Sequence, residues 1–457
     1  MYENTDKDGM FKRDILKKLS AWEKRSDRKP LILRGARQVG KTTAVNLFSE
    51  QFDQYIYLNL EQKEEKKIFE QEYTIQELIQ AIFFFKDRTQ IKGKILIFID
   101  EIQTCPLAVS YLRFFYEAFP DLFIIAAGSF LETLIDTHIS FPVGRVEYLA
   151  MKPLNFNEFL NALSEKSSLE IIKNKIPVPK FAHNKLMKLF HAYSIIGGMP
   201  EIVQKYSEQK DIIALKTLFD SLIVSYLDDV EKYARNNTMA KVISHAVSSS
   251  FYEAGTRIKF QGFGNSNYKS REMGEALKVL EKAMLIYLLY PSSSVKPPLQ
   301  PNIKKSPKLQ VLDTGMLNYF GGFQKELFKT NAIDSVYQGK IAEHIVGQEL
   351  LACETSPLYK LHFWNREKKQ SSAEVDFIIR FEDLIIPIEV KTGATGRLRS
   401  LHQFMDKAPH KYAVRVYSGQ LEINQIQTLK GKEFTLLNLP FYLAGCIPEY
   451  LAWMISQ

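Results

Sequence analysis

Four residues near the start of the chain have the types and spacing to hold a phosphate chain. They are Gly35, Gly40, Lys41 and Thr42, within Leu31-Ile-Leu-Arg-Gly-Ala-Arg-Gln-Val-Gly-Lys-Thr-Thr43. Phosphate oxygens need backbone N–H groups converging on them, and glycines let the backbone curl that tightly. A short apolar strand enters the G-x-x-x-x-G-K-T spacing, and a helix leaving near Lys41 adds the positive end of its dipole. Lys41 is then placed to reach the β- and γ-phosphates, and the Thr42 hydroxyl to sit on Mg²⁺. The loop residues Gly35, Ala36, Arg37, Gln38, Val39, Gly40, Lys41, Thr42 and Thr43 are the expected nucleotide contacts.

A second set completes that chemistry. Ile95-Leu-Ile-Phe-Ile-Asp100-Glu101 is an apolar run ending in two acids. Such a run places Asp100 at the carboxyl end of a buried parallel strand, beyond which ligands bind. Asp100 is expected to hold Mg²⁺ directly or through water, and Glu101 to polarise the attacking water. Asp121-Leu-Phe-Ile-Ile-Ala-Ala-Gly-Ser129 is a further buried strand. Ser129 at its tip either senses the γ-phosphate and positions the water or serves only as a turn former.

A third set lies far along the chain. Ala373-Glu-Val-Asp376-Phe-Ile-Ile and Leu384-Ile-Ile-Pro-Ile-Glu389-Val-Lys391 are strand-like runs joined by Phe381-Glu-Asp. A hairpin turning about Glu382-Asp383 sets Asp376 opposite Glu389 and Glu374 opposite Lys391. Opposed like charges on neighbouring strands repel, and a divalent metal between them removes the repulsion. Glu389 and Lys391 share a face because strands alternate with period two. This arrangement resembles that of PD-(D/E)XK nucleases, in which two carboxylates hold Mg²⁺ and the lysine orients or activates water beside a phosphodiester. The resemblance implies a leading helix bearing a glutamate, and Glu343 in Gly339-Lys-Ile-Ala-Glu343-His-Ile-Val346 fits as a third metal ligand. The other reading of the same residues is a nuclease-like fold kept for binding, its acids solvated or paired with Lys391. Pro387 removes a ladder donor and predicts an edge position or a bulge.

These sets must be carried by several domains, since 457 residues exceed one core. With 46% hydrophobic and 25% charged residues the chain is ordinary for a folded protein. Its 60 Lys+Arg against 52 Asp+Glu suit a nucleic-acid partner as readily as none. Three scattered cysteines, Cys105, Cys353 and Cys446, make neither a disulfide framework nor a zinc site. The polar start and the lack of a long apolar run predict a cytoplasmic protein with no membrane span.

Along the chain, residues 10–25 predict an amphipathic helix with Phe11, Ile15, Leu16, Leu19 and Trp22 on one side. The P-loop helix is expected to reach about Phe52, Tyr55–Leu60 to form a strand, and Glu61–Lys67 a solvated helix face. Met151–Tyr206 reads as a helical lid over the nucleotide, with breaks at Pro153, residues 176–180 and Gly197-Gly198, and Asp211–Tyr233 as a connecting helix. Residues 236–313 resemble a winged helix. There Ala276, Leu277, Leu280 and Ala283 form a buried stripe and Lys269, Arg271, Lys278 and Lys282 face solvent. The strand Met284–Tyr290 and a wing near Ser292–Lys305 follow, with Lys296, Lys304, Lys305 and Lys308 adding charge there. Such a module binds either nucleic acid or a protein. Residues 420–457 are mixed and end in an apolar patch, Phe441–Ile455.

Arg34-Gly-Ala-Arg-Gln-Val-Gly-Lys-Thr-Thr43, Phe141-Pro-Val-Gly-Arg145-Val-Glu-Tyr-Leu149 and Gly197-Gly-Met-Pro-Glu201 together resemble a large group of prokaryotic AAA-type ATP-binding proteins. Those proteins join an N-terminal AAA domain to a C-terminal module of largely unassigned function. The likeness spans residues from about 10 to about 420. It implies an α/β P-loop NTPase of AAA type, with a parallel sheet and flanking helices, that binds ATP and Mg²⁺ and hydrolyses ATP. Arg145 becomes an expected arginine finger or sensor, with Arg113 and Arg37 as rivals. The expected layout is an AAA core over 1–150, the lid and connector over 151–235, the winged helix over 236–325 and the nuclease-like α/β domain over 326–457. Nucleic acid and further copies of the chain are the expected partners. The competing function is an ATP-dependent switch or scaffold that cuts nothing. A P-loop kinase with a small acceptor is a further rival, though it leaves the later modules without a role.

Overall fold

The computed structural model describes residues 11–129, 144–231, 234–322, 340–366, 373–393 and 398–457. The chain groups into two compact units. One runs to Lys152 and takes in Lys282–Met284 and Thr355–Tyr359; the other holds Pro153–Glu281, Leu285–Glu354 and Lys360–Gln457.

In the first unit the apolar runs become strands β1 (Leu31–Arg34), β2 (Gln54–Asn59), β3 (Ile95–Asp100), β4 (Phe123–Gly128) and β5 (Glu147–Ala150). All pair in parallel, in the order β2-β3-β4-β1-β5. β3 and β4 are buried along their whole length, as strands covered on both faces must be. Parallel neighbours need crossovers, here the helices α2 (Lys41–Ser49), α3 (Lys63–Glu70), α4 (Ile75–Phe85) and α5 (Pro106–Ala118). The polar segment expected as a solvated face lies mostly in α3, where Glu65 is buried. It accepts from the Asn59 N–H at 2.6 Å and pairs with Lys86 at 2.5 Å. The leading helix α1 (Ile15–Glu23) starts later than its apolar pattern suggests and buries Ile15, Leu19 and Trp22. Trp22 packs edge-on to Phe123, with ring centroids 6.0 Å apart.

The second unit begins with α6 (Phe156–Ala162), α7 (Lys166–Asn174), α8 (His183–Ile196), α9 (Pro200–Gln209), α10 (Lys216–Glu231) and α11 (Asn237–Glu253). Then come α12 (Ser270–Lys282), β6 (Ile286–Leu289), β7 (Pro291–Ser292), β8 (Lys308–Val311) and α13 (Thr314–Phe320). The last helices are α14 (Lys340–Ala352), α15 (Arg399–Met405) and α16 (Ile447–Ile455). The helical stretch expected as a lid packs within this unit through buried polar bonds. Asp313 accepts from the Gly198 N–H at 2.6 Å, and Asn318 donates to Ser194 O at 2.8 Å. Glu349 on α14 accepts from the Phe156 N–H at 3.0 Å and the Tyr193 hydroxyl at 2.7 Å. β6 and β8 form a separate antiparallel pair. The expected wing is corrected at its start: Ser292 belongs to β7, which leaves the pair to join a larger sheet.

That sheet has the order β13-β14-β12-β11-β10-β9-β7, built from β9 (His362–Asn365), β10 (Glu374–Phe381), β11 (Leu384–Lys391), β12 (Tyr412–Tyr417), β13 (Glu422–Gln427) and β14 (Glu433–Pro440). The mixed tail thus supplies β13 and β14. Its alternation was hidden because β14 is buried on both faces and β13 is exposed almost throughout. The β10–β11 hairpin turns at Glu382-Asp383, with Phe377 opposite Ile388. Pro387 corrects its expectation: β11 is an interior strand. Pairing with β12 begins only at Ile388, so Pro387 lies where β10 is the strand neighbour. No helix among the described residues is long and apolar enough to cross a membrane.

Candidate functional site

The phosphate loop lies between β1 and α2. Gly40 takes φ 93° and Gln38 φ 60°, the left-handed turns that curl the loop toward the helix N-terminus. A Cβ on Gly35 would fall 2.5 Å from Met151 O, so only glycine fits there. Arg13 braces the loop from outside, donating to Val39 O at 2.9 Å and Lys152 O at 2.6 Å. The Lys41 ammonium lies inside the loop, donating to Gly35 O at 3.0 Å and Ala36 O at 2.9 Å. Arg37 pairs with Glu61 at 3.0 Å.

β3 brings the acids to the same edge. The Thr42 hydroxyl donates to Asp100 Oδ2 at 2.6 Å, and Tyr57, which sequence reasoning missed, donates to that oxygen at 3.4 Å. The alternation Tyr55-Ile-Tyr57-Leu-Asn59, which sets the polar residues on one face of β2, was the available signal. Burial pushes the Asp100 carboxyl above its ordinary range, and the Thr42 bond opposes that shift. Glu101 follows at φ 51°, and Gln103 donates to its carboxylate at 2.5 Å. Ser129 is buried just past the end of β4. Lys41, Thr42, Asp100, Glu101 and Ser129 therefore share the carboxyl edge of one sheet, where ligands of such sheets bind.

Arg145 does not join them, which corrects its assignment to this pocket. β5 pairs with β1 from Glu147 opposite Leu31 to Ala150 opposite Arg34, so Arg145 lies at the amino edge. A four-residue strand places that edge about 13 Å from the loop. There Arg145 pairs with Glu117 at 3.1 Å, as Arg113 does at 3.0 Å.

The acids of the second unit also meet. Asp376 Oδ2 accepts from the Val390 N–H at 2.8 Å, beside a break in the β9–β10 register between Val375 and Ile378. Bulges of this kind re-aim side chains next to functional sites. Glu389 takes Lys391 on Oε1 at 2.6 Å, while its buried Oε2 has no hydrogen-bond partner among the described residues. Glu374 reaches Lys308 at 2.8 Å and Arg257 at 3.5 Å, while Lys391 pairs with Glu389. Lys308 is a correction. It heads β8 instead of decorating a wing, is buried, and lies 2.5 Å from Glu343 and 3.9 Å from Asp376. The neighbouring Lys304 and Lys305 hid this, because Lys308 reads as one more cation of the same loop. Among the described residues no three His, Cys, Asp or Glu side chains converge as ligands of one metal ion, and Glu343, Asp376 and Glu389 are held on lysines and backbone instead.

Burial, followed by the charge of Asp376, pushes Glu343 up to about 7 and Glu389 up to about 8. Burial raises Asp376 as well. Burial works to lower the two lysines, but the surrounding carboxylates outweigh it and hold Lys308 and Lys391 above their ordinary value. The cluster thus carries more negative charge than its site tolerates. Elsewhere in the unit, α12 buries Met273, Ala276, Leu277 and Leu280 and leaves Lys269, Arg271 and Lys278 exposed around it.

Residues 27–160 match a family described as AAA domain. Residues 187–327 and 338–442 match two domains of unknown function, DUF8612 and DUF4143. The chain therefore carries an N-terminal AAA domain followed by two domains of unassigned role. No curated protein matches it. Among solved structures it is similar to a Walker-type ATPase of Pyrococcus abyssi, at 16% identity over 68% of this chain and 96% of that one, with a TM-score of 0.44. It is also similar to PCH-2 of C. elegans, at 13% identity over 43% and 62%, with a TM-score of 0.27. The RuvB Holliday junction branch migration motor of Thermotoga maritima matches at 13% identity over 64% and 93%, with a TM-score of 0.27.

Proposed function

From the AAA domain that residues 27–160 form, we propose that the chain binds ATP with Mg²⁺ and hydrolyses it at the carboxyl edge of the first sheet. The observation that carries this reading is the Thr42–Asp100 bond beside Lys41, which joins the phosphate loop to the acid strand. Lys41 would pair with the β- and γ-phosphates, Thr42 and Asp100 would hold Mg²⁺, and Glu101 would orient the attacking water with Ser129 nearby. The bound Mg²⁺ neutralises charge on the phosphates. A homo-oligomer belongs to the same reading, since Arg145 can reach a γ-phosphate only if another copy presents it. The test is phosphate release from ATP by the purified chain with no added acceptor. Turnover that needs an acceptor would replace an ATPase with a kinase.

The second unit favours a nucleic-acid-directed role. The helix α12 and the β6–β8 pair would serve as a winged helix, with Lys269, Arg271 and Lys278 toward phosphates. Drawn off their present lysine and backbone partners, Glu343, Asp376 and Glu389 would hold Mg²⁺ and Lys391 would serve the water, as in a metal-dependent nuclease. The unpartnered Glu389 oxygen supports this reading, because a buried acceptor without a donor is costly. Incubation with supercoiled, linear and single-stranded DNA, Mg²⁺ or Mn²⁺, and with or without ATP tests it. Cleavage lost in Asp376→Ala is the expected result. Binding without cleavage, unchanged in that variant, leaves the ATP-dependent switch.

A further inference from the structure

We propose that Lys308 is the built-in cation of the acid cluster and that a divalent metal ion loads this site by displacing it. The position of one side chain on β8 then decides whether the cluster accepts metal. This rests on reading Glu343, Asp376 and Glu389 as a metal-dependent site.

The ammonium of Lys308 lies 2.5 Å from Glu343, 2.8 Å from Glu374 and 3.9 Å from Asp376. The Phe363 ring covers it, with the nitrogen 4.9 Å from the centroid. Its side chain is only 7% exposed. A desolvated ammonium survives only among compensating charges, and this one has three. The surplus is on the acid side: Glu343, Glu374, Asp376 and Glu389 face Lys308, Lys391 and Arg257.

Glu389 Oε2 is a separate observation pointing to a further cation. It is buried and has no partner among the described residues, though it stands across the hairpin from Asp376. An ammonium tethered to β8 satisfies Glu343 and Glu374 but leaves this oxygen unmet. A divalent ion held by several oxygens could bridge Asp376 and Glu389, and it carries the second charge that the surplus calls for. A divalent ion on Asp376 would sit beside the Lys308 ammonium, which lies 3.9 Å from that carboxylate, and the repulsion between the two favours withdrawal of Lys308. β8 pairs with β6 in a small sheet and not with the strands bearing the acids, so the Lys308 side chain can move without breaking the ladder of the β10–β11 hairpin.

The experiment uses the full nucleotide-free chain and Mn²⁺. Lys308→Met is expected to bind one Mn²⁺ about a hundredfold more tightly than the parent, followed by electron paramagnetic resonance of free Mn²⁺. Adding Asp376→Asn to that variant should abolish the gain. In the parent chain, acetylation of Lys308 read by mass spectrometry should be slow without Mn²⁺ and rise at saturating Mn²⁺. This footprint decides the matter if Lys308→Met does not fold. Lys308 shielded at every Mn²⁺ concentration, or unaltered affinity in a folded Lys308→Met, overturns the proposal. DNA cleavage is scored separately. Metal bound at the expense of Lys308 without cleavage sinks only the nuclease reading, and cleavage with Lys308 still shielded sinks only this one.

Discussion

The Thr42 hydroxyl and Asp100 Oδ2 are 2.6 Å apart, a bond that passes over the end of β4 to join β1's helix to β3. It fixes the distance between the two groups assigned to Mg²⁺ with a rigid sheet behind them. Thr42→Ala should therefore weaken ATP binding about tenfold in Mg²⁺ and hardly at all in EDTA. A fluorescent-nucleotide titration under both conditions measures this. Equal losses would mean that Thr42 serves the loop's shape and not the metal.

Lys41→Ala should abolish turnover and weaken binding, because the ammonium already lies within the loop, on Gly35 O and Ala36 O. Glu101→Gln should keep ATP binding and slow hydrolysis by about a hundredfold or more. Single-turnover assays separate the two. Hydrolysis at the parental rate in Glu101→Gln would move the base to another residue.

Gly35→Ala should damage the loop by crowding. Its Cβ would meet Met151 O at 2.5 Å, a backbone atom that cannot swing aside. A cost of about 1–3 kcal/mol is expected, seen as a lower melting temperature together with lost nucleotide affinity.

Glu349 offers a pH test in the second unit. Burial raises its carboxyl from 4.5 to about 7. Between those values the folded chain binds more protons than the unfolded one, so stability falls as pH rises through this window. The loss above pH 7 should be on the order of 3 kcal/mol. Both donors use Oε1, which glutamine retains. Glu349→Gln should thus flatten the stability profile between about pH 5 and 7 and gain most near pH 8. A parallel profile in both proteins, by denaturant titration, would place the titrating group elsewhere.

Replacing Lys269, Arg271 and Lys278 with alanine should reduce DNA affinity and lower the salt slope by about one for each phosphate no longer neutralised. An unchanged slope would assign α12 to a protein partner.

The first unit was readable because its strands are short, wholly apolar and end in polar residues that mark the carboxyl edge, as Ile95–Asp100 does. The β10–β11 register was readable because Glu382-Asp383 turns the chain and period two does the rest. Lys308 was not. Its sequence neighbourhood is a loop with other lysines, and only the pairing of β8 with β6 carries it into the acids. Arg145 misled because its role came from the family likeness alone: it precedes a parallel strand, and that order by itself puts it at the amino edge, away from the loop. Pro387 kept the rule locally, since β11 is interior as a whole but is not yet paired with β12 at that point.

β7 is two residues long, yet it seals the outer edge of β9 with chain that precedes α13. Cutting the protein near residue 326 to isolate its last portion would strip that seal and remove Lys308 in the same stroke. The excised piece would expose a raw strand margin, with an unbalanced nest of carboxylates, and self-associate along it. Modular cloning of this protein should therefore keep everything after Pro153 as one indivisible block.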